Sequence, residues 1–304
     1  MRRVRSVRRN GSAVVYKNQT QTLPRRLSGA GFLGAKDRKG LNMTIDTQIF
    51  LTKKSRIQGL RIRAGVVSLL ARPESNPKLA KGRKLGVMSA PLHLAPAKLS
   101  GYEVCAKRTT GCTQACLHTA GNPAHMEGKT RARIARTKLY FEDRAFFMSV
   151  LISEIAALES KANRAGMICG VRLNATSDIP FERVKIKHLG KTYSNIMELF
   201  PDVRFWDYTK RPNRRNLPPN YHLTFSLAED NDTDALQALK NSINVAAVFR
   251  TKRGHALPKA FMNRQVIDGD LHDYRPLDQS GVIVGLRAKG QAMSDKSGFV
   301  REIL

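Results

Sequence analysis

The chain has 304 residues, 41% of them hydrophobic and 7% aromatic: enough apolar material for a sizeable core, with no single run long enough to cross a bilayer. Its 53 Lys and Arg outnumber 24 Asp and Glu to give a formal net charge of +29, and four cysteines in such a length exclude a disulfide-built scaffold. These features set the expectation of a soluble protein in a reducing compartment, with nucleic acid or a nucleotide as partner and no membrane; charge that serves solubility alone is the alternative.

Residues 1–42 hold eleven basic side chains against one acid, Asp37, and show no sustained helix or strand period. They read as a disordered basic leader, a translated extension ahead of a natural start at Met43. An organellar transit peptide and a nucleic-acid arm share that composition. Residues 43–304 read as one domain. From about residue 82, short apolar runs alternate with helical or polar stretches, at 86–94, 167–174, 202–208, 221–227, 244–249, 264–268 and 281–287. Most are near-continuous, as in MICGVRLN and NVAAVF, which is the pattern of parallel strands covered on both faces. A long helix is predicted over 127–165, where Phe147, Leu151, Ile155 and Leu158 recur at helical spacing. Shorter helices are predicted over 193–200 and 232–241, the second capped by Asp230 or Asp232. Strand and helix in alternation predict βαβ units, so the expected fold class is α/β: a full or partial (β/α) barrel with mostly parallel strands.

In such an architecture, catalytic groups gather at the carboxyl ends of the strands. Those ends supply Asn174, Ser177 and Asp178, then Asp207, Thr209 and Lys210, then Ser226 and Glu229, Arg250, Asp268, Asp270 and Asp273, and finally Lys289. The catalytic candidates among them are Asn174, Ser177, Asp178, Asp207, Lys210, Ser226, Asp268 and Asp270. Each alone reads first as a polar loop residue, and together they say more than singly. The acidic stretch VIDGDLHDYRPLD lacks the twelve-residue calcium pattern, and its carboxylates are open to salt bridges with Arg264 or Arg275. No Gly-rich phosphate loop, zinc-protease helix or nucleophile elbow is present.

The segment YEVCAKRTTGCTQACLHTAGN spaces Cys105, Cys112 and Cys116 as Cys-x6-Cys-x3-Cys. Thiolates select zinc or iron–sulfur clusters over hard cations. A closed zinc site needs a fourth ligand, for which His118, His125 and Cys169 are the candidates. Three thiolates without a certain fourth suit a 4Fe-4S cluster with one open iron. Ordinary buried thiols remain the third option, and Cys169, inside MICGV, reads as a core residue. Lys129, Arg131, Arg133, Arg136 and Lys138 follow closely, as either an anion site or a solvated helix face.

The motifs GCTQACLHTAG, VRLNATSDIPFE, FWDYTKR, LTFSLAE, VIDGDLHDYRPLD and GVIVGLRAKG, in that order, resemble the bacteriophage "gene product 88" domain over roughly 85–300. The resemblance implies a phage or prophage origin, hence the cytoplasm of an infected or lysogenic bacterium. The cysteine triplet ahead of parallel strands is also similar, more distantly, to radical S-adenosylmethionine enzymes, although their triplet is Cys-x3-Cys-x2-Cys and no Gly-Gly-Glu motif is found here. This second resemblance implies S-adenosylmethionine bound at an open iron, with Asn174, Asp207, Ser226 and Glu229 on the cofactor and Ser177 beside them. The leading expectation is a phage-encoded iron–sulfur enzyme acting on a nucleotide, nucleic acid or other polyanion. The alternatives are a non-enzymatic nucleic-acid-binding protein with structural zinc or no metal, and a hydrolase that uses the strand-end carboxylates.

Overall fold

The computed structural model describes residues 44–47, 51–73, 77–119, 127–212, 214–252 and 254–303, which fall in one compact unit, Gly40–Leu304. The predicted leader, 1–42, and His125 lie outside the described residues. In chain order, the strands and α-helices are β1 (Ile45–Thr47), α1 (Lys53–Ala64), α2 (Pro77–Lys84), β2 (Val87–Pro91), α3 (Thr110–Gln114), α4 (Glu127–Glu142), α5 (Arg144–Arg164) and β3 (Ile168–Arg172). There follow β4 (Ile186–His188), β5 (Lys191–Tyr193), α6 (Ile196–Leu199), β6 (Arg204–Thr209), β7 (Tyr221–Ser226), α7 (Asp232–Lys240), β8 (Val245–Phe249), β9 (Ala260–Phe261), β10 (Arg264–Asp268), β11 (Ile283–Arg287) and β12 (Val300–Arg301). Among the described residues, no helix is long and apolar enough to cross a membrane.

The main sheet runs β2-β3-β6-β7-β8-β11-β10-β9 and is parallel except for the β10–β9 pair. From β2 to β8 each strand lies beside its predecessor, so the crossovers all step the same way, and the right-handed rule puts their connections on one face. That face carries the core. The predicted stripe of Phe147, Leu151, Ile155 and Leu158 on α5 is buried against Met88, Val171 and Phe205. On α7, Ala235 and Leu239 pack on Phe225, Val245 and Ala247. The opposite face is filled at its amino end by Trp206, Tyr274 and Val87. There Gly170 is required, because a Cβ would stand 2.8 Å from the indole. At the carboxyl end the same face opens into a cavity.

The sheet is open, which corrects the expectation of a full barrel. Two features keep its ends apart: β11 sits between β8 and β10, out of chain order, and the outer edge of β10 is taken by β9. The β9–β10 turn places Met262 and Asn263 at positive φ, 50° and 56°, as a tight hairpin requires. A second insertion occurs at β8. One of its edges is fully paired with β11, so the other is shared: β7 pairs with Val245 and Ala246, and β12 with Val248 and Phe249. The chain's last strand is thereby wedged at the carboxyl ends of the sheet. A small separate sheet, β1-β4-β5, joins β1 to the two strands of the crossover between β3 and β6.

The single helix predicted over 127–165 is two. Asp143 leaves helical φ/ψ, and its carboxylate accepts from the Phe146 N–H at 3.2 Å, capping α5 where α4 ends. Over 193–200 only Ile196–Leu199 is helical, capped by Asn195. The N-cap residue of α7 is Asn231 rather than either aspartate, and its side chain binds the Ala228 N–H instead of the helix.

Candidate functional site

The loop that follows β2 carries all three clustered cysteines over the carboxyl ends of the strands. Its fold is fixed locally by short polar bonds. Glu103 accepts from the Cys105 N–H at 2.8 Å and pairs with Arg108 at 3.1 Å. Thr109 caps α3 by accepting from the Cys112 N–H at 3.0 Å. Its hydroxyl proton goes to Glu229 Oε2 at 2.7 Å, and Gly111 N–H donates to Glu229 Oε1 at 2.6 Å. Glu229, at the tip of β7, therefore latches the cysteine loop and does not line the cavity.

The cavity below this loop measures about 190 Å³, and Cys105, Cys112 and Cys116 all face it. Of the strand-end candidates, Asn174, Ser177, Asp178, Thr209, Lys210, Ser226, Asp270 and Lys289 also line it, whereas Asp207, Asp268 and Arg250 do not. Arg172, Tyr208, Arg287 and Phe299 join the lining without having been singled out in the sequence. Arg172 carried a signal, as a charge at the end of the apolar run MICGV. Phe299 carried none, because its place depends on the wedging of β12.

Beneath the cavity lies a buried polar network. Asp207 accepts from the Asn174 N–H at 2.7 Å, from Asn174 Nδ2 at 3.1 Å and from the Tyr221 hydroxyl at 3.0 Å. Asn174 Oδ1 accepts from the Ser177 hydroxyl and the Ile179 N–H, both at 2.8 Å. Asp178 accepts from the Thr209 hydroxyl, the Lys210 N–H and Arg214. These groups shape the cavity floor, and their lone pairs are spoken for. The acidic stretch is committed as well: Asp268 pairs with Arg287 at 2.8 Å, Asp270 with Lys289 at 2.5 Å, and Asp273 with Arg172 at 3.3 Å. The Arg287 bond holds Asp268 below the usual carboxylate range. A hydrolase would need an uncommitted carboxylate as its base, and each of these is engaged.

Burial pushes Asp207 up to about 6, against the opposing pull of Arg172. The folded carboxyl thus keeps a proton that the unfolded chain, with its ordinary pKa of about 4, has lost over roughly pH 4 to 6. Stability supplied through this group is fullest below that window and declines as pH rises to 6. Asp207→Asn has nothing to titrate there. The native chain is therefore expected to gain stability relative to the variant as pH falls from about 6 to about 4, read by chemical denaturation at each pH. A difference that stays constant across the window refutes this assignment.

Burial also acts on two of the clustered thiols, Cys105 and Cys116. It pushes Cys105 up to about 12, helped by the nearby Cys116 and Cys112 sulfurs, and raises Cys116. A nucleophilic cysteine needs the reverse shift. Arg133 is only 7% exposed, meets His118 Nδ1 at 2.6 Å and pairs with no carboxylate among the described residues. Its charge is felt by Cys116. A buried cation without a counter-ion is costly, and thiolates would supply one. Among the described residues, no three His, Cys, Asp or Glu side chains surround a single ion position. Cys169 lies in the helix-facing core and is no partner for the triplet.

Fold and site together define a mixed α/β protein whose open, mostly parallel sheet carries a thiol-lined cavity at its carboxyl edge. The chain belongs to the Gene product 88 family, whose profile matches residues 68–303. No curated protein and no solved structure matches it.

Proposed function

We propose that the protein is an iron–sulfur enzyme acting on an anionic substrate such as a nucleotide, with Cys105, Cys112 and Cys116 holding a 4Fe-4S cluster and S-adenosylmethionine as co-substrate. The observation that carries this reading is the convergence of Cys105, Cys112 and Cys116 on one cavity beside Arg133, which pairs with no carboxylate among the described residues. The sequential order of the parallel strands from β2 to β8 in the open sheet, with the cysteine loop following β2, also supports it. When bound, such a cluster supplies an electron and, at its open iron, a coordination position for the amino and carboxylate groups of S-adenosylmethionine. The chain's own residues do the rest. Asn174, held by Asp207, fixes the turn that carries Ser177 and Asp178, while Phe299, Leu117 and the cysteine loop line the cavity.

Anaerobic reconstitution tests this. The native chain is expected to take up about four irons with matching sulfide, and to form 5′-deoxyadenosine from S-adenosylmethionine under a strong reductant. Cys105→Ala, Cys112→Ala and Cys116→Ala should each lose most of the iron, whereas Cys169→Ala should keep it. A colourless, iron-free protein, or equal iron in all four variants, sinks the reading.

A second reading, nucleic-acid binding without catalysis, is favoured by α1. This helix carries five cations and no acid, with Lys53, Lys54 and Arg61 exposed. Binding of DNA or RNA that weakens steeply with salt, by a protein that takes up no iron, would select it.

A further inference from the structure

Most charges in the cavity are balanced. Arg287 and Lys289 hold Asp270, Arg108 holds Glu103, and Arg172 holds Asp273. Lys210 is the exception. Its Nζ donates to Ser226 Oγ at 2.8 Å and stands 5.4 Å from the centroid of Phe299, and no carboxylate pairs with it among the described residues. Ser226 Oγ uses a lone pair on that bond, which leaves its own hydroxyl proton free to donate, and no acceptor for that proton stands among the described residues. An ammonium and a hydroxyl proton thus lie side by side in a partly buried wall with no carboxylate to meet among the described residues. Such groups are expensive to hold unless a ligand completes them.

Both donors are held firmly. The Lys210 backbone N–H is fixed by Asp178 Oδ2 at 2.9 Å, and Ser226 ends the strand next to β6, where Thr209 is in register with Phe225. One strand further over, Arg172 lies 4.7 Å above the Tyr208 ring; only its Nη1 is engaged, by Asp273, while its Nε has no partner. Three strand ends, β3, β6 and β7, therefore aim cationic and hydroxyl donors at the cavity. Donors that arrive from several directions suit a tetrahedral oxyanion better than a flat carboxylate, which two coplanar donors satisfy. A space of about 190 Å³, partly open to solvent, suits one phosphate group of a small molecule better than a nucleic-acid strand.

We propose that Lys210 and Ser226, with Arg172 as second cation, form a phosphate subsite that seats the phosphate of a small phosphomonoester substrate. The assignment rests on the enzymatic reading for its purpose but not for its binding chemistry, which needs no iron. Calorimetric titration of the iron-free full chain with inorganic phosphate, and separately with acetate, tests it. Phosphate should bind saturably and acetate should not. Lys210→Met should weaken phosphate binding about tenfold or more, the loss of one charge-assisted contact, and Lys210→Arg should restore most of it. Ser226→Ala should weaken it several-fold. Lys54→Met, an exposed cation on α1, should leave it unchanged, and because the titrated protein is iron-free the result is separate from the fate of the cluster. Circular dichroism confirms that each variant is folded. Absent phosphate binding, equal binding of acetate, or a folded Lys210→Met that binds phosphate like the native chain overturns the proposal.

Discussion

Replacing Arg214 with Ala is expected to cost about 3 to 5 kcal/mol of folding stability, the penalty for leaving buried charges without their partner. The guanidinium is 2% exposed and every face of it is used. It meets Glu182 twice, at 3.0 and 2.6 Å, Asp178 at 3.2 Å and the Tyr221 hydroxyl at 2.8 Å. Glu182 is 5% exposed and Asp178 10%, so removal of the cation strands two carboxylates under the cavity floor. Tyr221 passes the effect on to Asp207 through its own 3.0 Å bond. Lysine has the charge but not the planar fork that engages Glu182 with two nitrogens, so Arg214→Lys should recover less than half of the loss. Urea denaturation reads both variants. A loss below about 1 kcal/mol for Arg214→Ala would mean that the network holds without its centre.

Of the fold, the strands were the legible part. Runs such as VAAVF and MICGV are apolar throughout because both faces of the sheet are covered, by helices on one side and by Trp206, Tyr274 and the cavity loops on the other. What periodicity cannot register is pairing. The β11 run looks like any parallel strand, and its insertion between β8 and β10 leaves no mark in its own sequence. The hairpin that closes the sheet's edge turns on Met262 and Asn263, of which only asparagine is an ordinary turn residue. The break at Asp143 was readable in principle. An aspartate three residues before Phe146 is a cap signal, but the apolar stripe on both sides outweighed it.

At the site, the sequence located positions better than roles. Strand-end reasoning reaches Asn174, Asp178, Lys210 and Ser226 because parallel strands deliver their last residues to one rim. It cannot tell a residue that faces the cavity from one that supports it. Asp207 is wholly buried and works through Asn174; Glu229 faces away and holds the cysteine loop. The acidic cluster at 268–273 is dense in sequence yet committed in space, since Arg287, Lys289 and Arg172 arrive from β11 and β3. Charge pairing across strands is a tertiary fact, invisible until the strand order is known.

Gly111→Ala is expected to unseat the cysteine loop, lowering stability by about 2 to 4 kcal/mol through overpacking and a lost charge-assisted bond. A Cβ there would stand 2.0 Å from Ser297 Oγ and 2.9 Å from both Cδ and Oε1 of Glu229. Neither neighbour can retreat freely. Ser297 Oγ is tied to Asp295 at 2.7 Å, and the Glu229 carboxylate is tied to the Thr109 hydroxyl and to Gly111's own N–H. The cheapest response is therefore for α3 to lift, which carries Cys112 and Cys116 away from Cys105. If the triplet holds a cluster, iron uptake should fall together with the melting temperature. Adding Ser297→Ala removes the 2.0 Å contact but not the Glu229 contact, so the double variant should recover part of the stability, whereas Ser297→Ala alone should change little. A Gly111→Ala protein with native melting behaviour would show that the latch yields more easily than its bonds imply, and that the loop's placement over the cavity is set elsewhere.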